Sequence, residues 1–186
     1  TATPEGTLTA ALKLLDYYAA TGVNCLWIAP INEMGTDVVN NGYHNNGLHT
    51  IDLKLTEAET YDEGWANFAK FVEAAHKRNI YILLDTIMWG VDKNAPMKSE
   101  QTYSSVLSDT IDPSWKGYQY NYTSDAFKNY YKNTMLEIIS ETGIDGIRSD
   151  CAPAITGQTE LLNSIRKAAF EQGNRIVIMS ERSAYN

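Results

Sequence analysis

Three acids and one arginine stand where they could do chemistry: Asp85, Asp150, Glu181 and Arg148. Asp85 closes YILLD, Asp150 closes GIRSD and Glu181 closes VIMSE. Each acid follows a short apolar run of the kind that forms a buried parallel strand. Parallel α/β folds bind ligands at the carboxyl ends of their strands, so these acids are placed for catalysis. Strand alternation puts Leu83 with Asp85, Gly146 and Arg148 with Asp150, and Val177 and Met179 with Glu181. If those faces point into a barrel, the acids meet at its mouth. Neighbouring strands lie ~4.8 Å apart, so carboxyls on adjacent strand ends can sit about 5–5.5 Å apart. At that separation one carboxylate can attack an acetal carbon while the other protonates the leaving oxygen. Arg148, two residues before Asp150, would keep a neighbouring carboxylate ionised as a nucleophile. Glu181 would need the opposite treatment, a raised pKa, to act as general acid. Helix capping or surface pairing explains any single strand-end acid; three in register with an inward arginine are harder to explain that way.

The elements that would hold these residues repeat one pattern. Leu8, Leu12, Leu15 and Ala19 share one face of a helix over residues 7–21, which Gly22 ends. Residues 23–29 (VNCLWIA) read as a buried strand closed by Pro30, and a long polar loop follows over 32–49. Thr60 and Glu63 have capping-box spacing and open a helix with Trp65, Phe68, Val72 and Ala75 on one face. The strand 81–87 comes next. Ser124 then caps a helix carrying Phe127, Tyr131, Met135 and Ile138, stopped by Gly143. Strand 144–150, helix 160–172 (Leu162, Ile165 and Ala169 inward, Gly173 after it) and strand 175–181 complete the chain. Residues 89–122 read as a plain loop, rich in tyrosine (Tyr103, Tyr118, Tyr120, Tyr122) and holding Trp115. Those rings suit buried packing at least as well as stacking on a ligand.

Helices alternating with short apolar strands mean parallel strands joined by crossovers, an α/β fold. An open doubly wound sheet and part of a (β/α)8 barrel both fit. No GxGxxG or GxxxxGK[ST] occurs, so nucleotide binding has little support. Composition narrows the field further. The 186 residues are 44% hydrophobic and 20% charged, an ordinary globular balance that rules out disorder. A net charge of −8 without a basic cluster argues against nucleic acid or an anionic membrane surface as partner. No apolar run approaches the ~20 residues of a membrane span, and the start does not read as a signal peptide. The opening TATPEG lacks an initiator methionine, as expected of a processed or excised segment. Cys25 and Cys151 are too few for a disulfide framework and are expected to be buried free thiols.

The runs GVNCLWIAPI, GYHNNGLHTID, AAHKRNIYILLD, GIDGIRSD and IVIMSER, in that order, resemble the alpha-amylase family of retaining alpha-glucan hydrolases and transglycosylases. The resemblance implies a partial TIM (β/α)8 barrel covering about strands 2–5, with residues 1–186 as a catalytic barrel domain truncated at both ends. It implies Asp150 as nucleophile, Glu181 as acid/base, Arg148 as the nucleophile's partner, Asp85 as the acid paired with it near the scissile sugar, and Tyr43 as the ring under that sugar. It implies oligosaccharide or polysaccharide as substrate, no cofactor or metal although calcium occurs in the family, and an extracellular or cell-envelope location. Several positions depart from the family pattern. Trp89 stands where an Asn linked to calcium often sits, Gly90 and Ala154 where sugar-binding His residues sit, and Gly47 and Leu48 replace an Asp-Tyr pair. The family's third catalytic acid has no counterpart. These losses keep a second expectation open: a non-catalytic glycan-binding or scaffold piece of an amylase-like barrel. An unrelated α/β binding module is a third. A full barrel needs about 250 residues. A part of one would expose sheet edges and an apolar face, so self-association or missing chain segments are expected to complete it.

Overall fold

The computed structural model describes residues 6–36, 42–150 and 157–181. In chain order its elements begin with α1 (Leu8–Leu12), α2 (Leu15–Ala20), β1 (Cys25–Ile28), α3 (Leu53–Thr56), α4 (Tyr61–His76) and β2 (Tyr81–Thr86). They continue with β3 (Gly90–Asp92), two short 3₁₀ turns, β4 (Leu107–Asp112), β5 (Gly117–Tyr120), α5 (Asp125–Thr142), β6 (Gly146–Ser149), α6 (Gln158–Glu171) and β7 (Val177–Ser180). The main sheet is parallel and runs β1-β2-β6-β7. Strands added in chain order, with no reversal, are the progression of a barrel; a doubly wound sheet reverses at a switch point. The sheet is thus a four-strand section of a barrel wall among the described residues.

The helices form where capping and periodicity direct them. The Thr60 hydroxyl accepts from the Glu63 amide to open α4, while the Glu63 carboxylate takes the Glu59 N–H rather than the cap's own. Ser124 caps α5 through the Phe127 amide, and Gly143 ends it at a φ of 70°. Phe68, Val72 and Ala75 of α4, Tyr131, Met135 and Ile138 of α5, and Leu162, Ile165 and Ala169 of α6 are buried against Ile82, Leu84 and Ile147 of the sheet. Each large side chain so buried contributes about 1.5–3 kcal/mol. Alternation then turns Asp85 and Arg148 to the opposite face of the sheet, toward the barrel interior.

Four sequence expectations give way to the structure. The helix over 7–21 is two, because the chain breaks at Lys13 and Leu14 between α1 and α2. Cys25 is exposed rather than buried, and β1 alternates between exposed and half-buried, because it forms the edge of the sheet. The same holds for β7 at the other edge, where Val177 is 60% exposed. Residues 89–122 are not a plain loop: β3, β5 and β4 form an antiparallel sheet in which Tyr120 of β5 is buried. Cys151 and Ala154 lie outside the described residues.

Candidate active site

The strand ladder sets the positions of the acids. Asp85 is paired with Arg148, and Arg148 with Met179, so the arginine lies between β2 and β7. The ladder continues past the strand ends: Asp150 N–H donates to Thr86 O at 3.0 Å, and Glu181 N–H to Ser149 O at 3.2 Å. Gly146 allows the close approach of β7, since a Cβ there would run into the Val177 carbonyl and lie 2.7 Å from Leu83 Cδ2.

One guanidinium gathers all three acids. Arg148 Nη1 donates to Asp85 Oδ1 at 3.0 Å and to Asp150 Oδ1 at 2.8 Å, and Nη2 lies 3.5 Å from Glu181 Oε1. The arginine side chain is only 8% exposed; Asp85 is sealed at 0%, Asp150 is 15% exposed and Glu181 38%. A rigid fork touching Asp150 and Glu181 together confines both carboxyls to one small site. Exposure then grades outward, from the sealed Asp85 to a Glu181 open to incoming groups.

Asp85 is held from three sides. Tyr43 O–H donates to Asp85 Oδ2 at 2.8 Å, and Trp27 Nε1–H donates to the same oxygen at 3.2 Å. Burial pushes the Asp85 carboxyl up, and the donors Tyr43 and Arg148 offset that only in part. For Arg148 the balance is reversed: burial disfavours its charge, but Asp85 and then Asp150 outweigh it and raise its pKa further. The Tyr43 phenol is also pushed up, by burial first and then by the Asp85 carboxylate it serves, so it remains a donor at neutral pH. Carboxyls outnumber the guanidinium three to one, leaving a site suited to a developing positive charge.

The structure therefore brings together Asp85, Arg148, Asp150, Glu181 and Tyr43, all five residues singled out by sequence. It adds Trp27, which sequence reasoning passed over as strand packing. Its indole N–H reaches Asp85, and its ring lies 5.3 Å from the Arg148 guanidinium carbon. The available signal was its alternation: Trp27 pairs with Leu83, on the face that carries Asp85, and an indole N–H seeks a partner. The calcium position fits poorly. The Trp89 ring packs 5.5 Å from Trp115, its carbonyl accepts from Tyr122 O–H and Tyr120 N–H, and its side chain offers no oxygen. Among the described residues no group of three or more His, Cys, Asp or Glu could hold a metal ion.

A parallel barrel section with three acids and an arginine converging at the carboxyl ends of its strands has the layout of a barrel enzyme's active face. No protein-family model matches the chain. A malto-oligosyltrehalose trehalohydrolase of Brevibacterium helvolum is 27% identical over 161 residues, 83% of this chain and 25% of that protein. Alpha-amylase 2 of Schizosaccharomyces pombe is 30% identical over 104 residues, 55% of this chain and 17% of that protein. Among solved structures, a maltogenic alpha-amylase of Thermotoga neapolitana matches with a TM-score of 0.77 at 22% identity, over 93% of this chain and 41% of that one. Relatives and structural neighbours alike point to the alpha-amylase family, and the fold is that of part of its TIM barrel. The chain spans about a quarter of the first of these curated relatives and 17% of the second.

Proposed function

We propose that this chain is a section of the catalytic barrel of a retaining alpha-glycosidase or transglycosylase acting on alpha-linked glucans or oligosaccharides, with the remaining barrel strands supplied by further chain. One observation carries the reading: a single arginine, Arg148, contacts Asp85, Asp150 and Glu181 at the ends of three successive strands. The similarity to an amylase and a trehalohydrolase agrees with it. The short sections of relatives covered are consistent with a barrel that is incomplete here.

In this mechanism the Asp150 carboxylate attacks the anomeric carbon, forming a covalent glycosyl ester as the glycosidic bond breaks. Glu181 gives its proton to the departing oxygen. Glu181 then takes a proton from water or an acceptor sugar, whose oxygen displaces Asp150 and restores the enzyme. Arg148 donates to Asp150 Oδ1 at 2.8 Å and so fixes the carboxyl in position for the attack. Tyr43 lines the same mouth, where its ring stacks on the sugar being cleaved, while the sealed Asp85 holds Tyr43 and Arg148 in place beneath it. No step passes through calcium, which the residues at Trp89 do not fit.

The test is hydrolysis of malto-oligosaccharide or p-nitrophenyl alpha-glucoside by the complete protein carrying this chain. Asp150→Asn and Glu181→Gln are each expected to lower kcat by about 10³-fold or more. Full activity in both variants would rule the mechanism out. Binding without turnover by the unmodified protein would support the glycan-binding alternative, which the lost family positions at Trp89 and Gly90 favour.

A further inference from the structure

We propose that Trp115 and Trp89 form a second sugar-stacking platform, seating a pyranose ring of a malto-oligosaccharide away from the bond on which Asp150 and Glu181 act. The choice of ligand rests on the alpha-glucan reading above; the platform itself rests on the geometry of the β4–β5 hairpin. Trp115 lies at its tip and is 41% exposed, an unusual place for an indole with no water-excluding role. The hairpin fixes it there. Asp112 Oδ1 accepts from Ser114 N–H at 2.8 Å and from Trp115 N–H at 3.1 Å, while Oδ2 accepts from the Gln119 side chain at 3.1 Å.

The ring has aromatic support on two sides. Trp89 lies 5.5 Å away at a tilt of 37°, and His44 meets Trp115 edge-on at 5.1 Å. His44 is 6% exposed, and neither ring nitrogen has a hydrogen-bond partner among the described residues, so the imidazole serves as a packing surface. Gly117 leaves room for Trp89, since a Cβ there would lie 3.1 Å from Cζ3. An indole fixed in advance loses little freedom on binding, which is what a stacking surface requires.

Its location joins it to the catalytic mouth. His44 follows Tyr43, whose hydroxyl binds Asp85. The loop is stitched to β3 by Asn45 Nδ2–H donating to Gly90 O at 3.0 Å and by Asp92 N–H donating to Asn45 O at 2.8 Å. A glucan whose reacting unit sits at Tyr43 would therefore pass near Trp115. A pyranose presents its axial C–H groups as an apolar face, which an indole can cover while the equatorial hydroxyls stay in water.

The test is calorimetric titration of maltoheptaose into the complete protein in an Asp150→Asn background, where a cleaved product does not obscure binding. Trp115→Ala is expected to weaken binding about tenfold, while Trp115→Phe retains most of it. Equal affinity in the alanine variant and its parent would overturn the platform. So would an equal loss in both variants, since phenylalanine keeps a stacking ring on the hairpin. Hydrolysis that survives Asp150→Asn strikes the catalytic reading instead, and the comparison of affinities stands apart from it.

Discussion

Replacing Arg148 with methionine removes the one cation that three carboxyls share. The guanidinium is 8% exposed and Asp85 is fully sealed, so the loss leaves Asp85 as a buried charge held only by Tyr43 and Trp27. Breaking a buried pair from one side costs about 3–5 kcal/mol. For a chain of this size that corresponds to a fall in Tm of about 6–20 °C. The cost depends on pH in a definite sense. Burial already lifts Asp85 above its unfolded value, and loss of Arg148 lifts it further. Its contribution is then fully present below about 3.9, the value of free aspartate, and is lost as pH rises through the higher native value. R148M should therefore be much weaker at pH 7 than at pH 4, relative to the parent protein. Urea unfolding followed by circular dichroism gives both numbers. A cycle with Asp85→Asn completes the experiment: the double variant should recover about 2 kcal/mol of the loss. A cost under 1 kcal/mol at pH 7, or simple additivity with D85N, would refute the description of Arg148 as the site's electrostatic centre.

Other outcomes follow from the same contacts. Tyr43→Phe keeps the ring but removes the 2.8 Å bond to Asp85, and should cost about 1.5–3 kcal/mol in unfolding experiments. Gly146→Ala forces a Cβ against the Val177 carbonyl; about 1–3 kcal/mol of destabilisation is expected, with a loss of activity as β7 and Glu181 move outward. His44 is pushed below its ordinary pKa by burial, with Asp92 opposing. Its contribution is therefore complete above about 6.5 and is lost as pH falls through the lower native value; His44→Phe should flatten the acid slope, leaving the part due to the half-buried His49, which burial also pushes down. Identical slopes would contradict that assignment. Trp27, Tyr81 and Val177 are more than half exposed along the sheet, so these 186 residues alone should self-associate in light scattering. A clean monomer would be the contrary result.

What sequence could reveal depended on how local the cause was. Ser124 and Gly143 bound α5 through contacts within a few residues, so composition announced them. Arg148 and Asp150 lie two apart on one strand, and alternation alone puts them on one face. The break at Lys13 has no proline or glycine to mark it, and helical periodicity runs through it. β3 pairs with the distant β5, and strands of only three to six residues do not show a clean alternation. Exposure of Cys25 follows from its place at the sheet edge, which an apolar run cannot disclose. Trp27 reaches Asp85 only because β1 pairs with β2 in one register.

The central claim, that Asp150 is the nucleophile of a retaining mechanism, can be examined by trapping. A 5-fluoro alpha-glucosyl fluoride slows the second step more than the first and lets the covalent ester accumulate. Peptide mass spectrometry of the complete protein should then find one hexosyl adduct, on Asp150, absent from Asp150→Asn and dependent on Glu181 for its release. An adduct on another residue, or turnover of the probe with no adduct and with Asp150→Asn fully active, would contradict it.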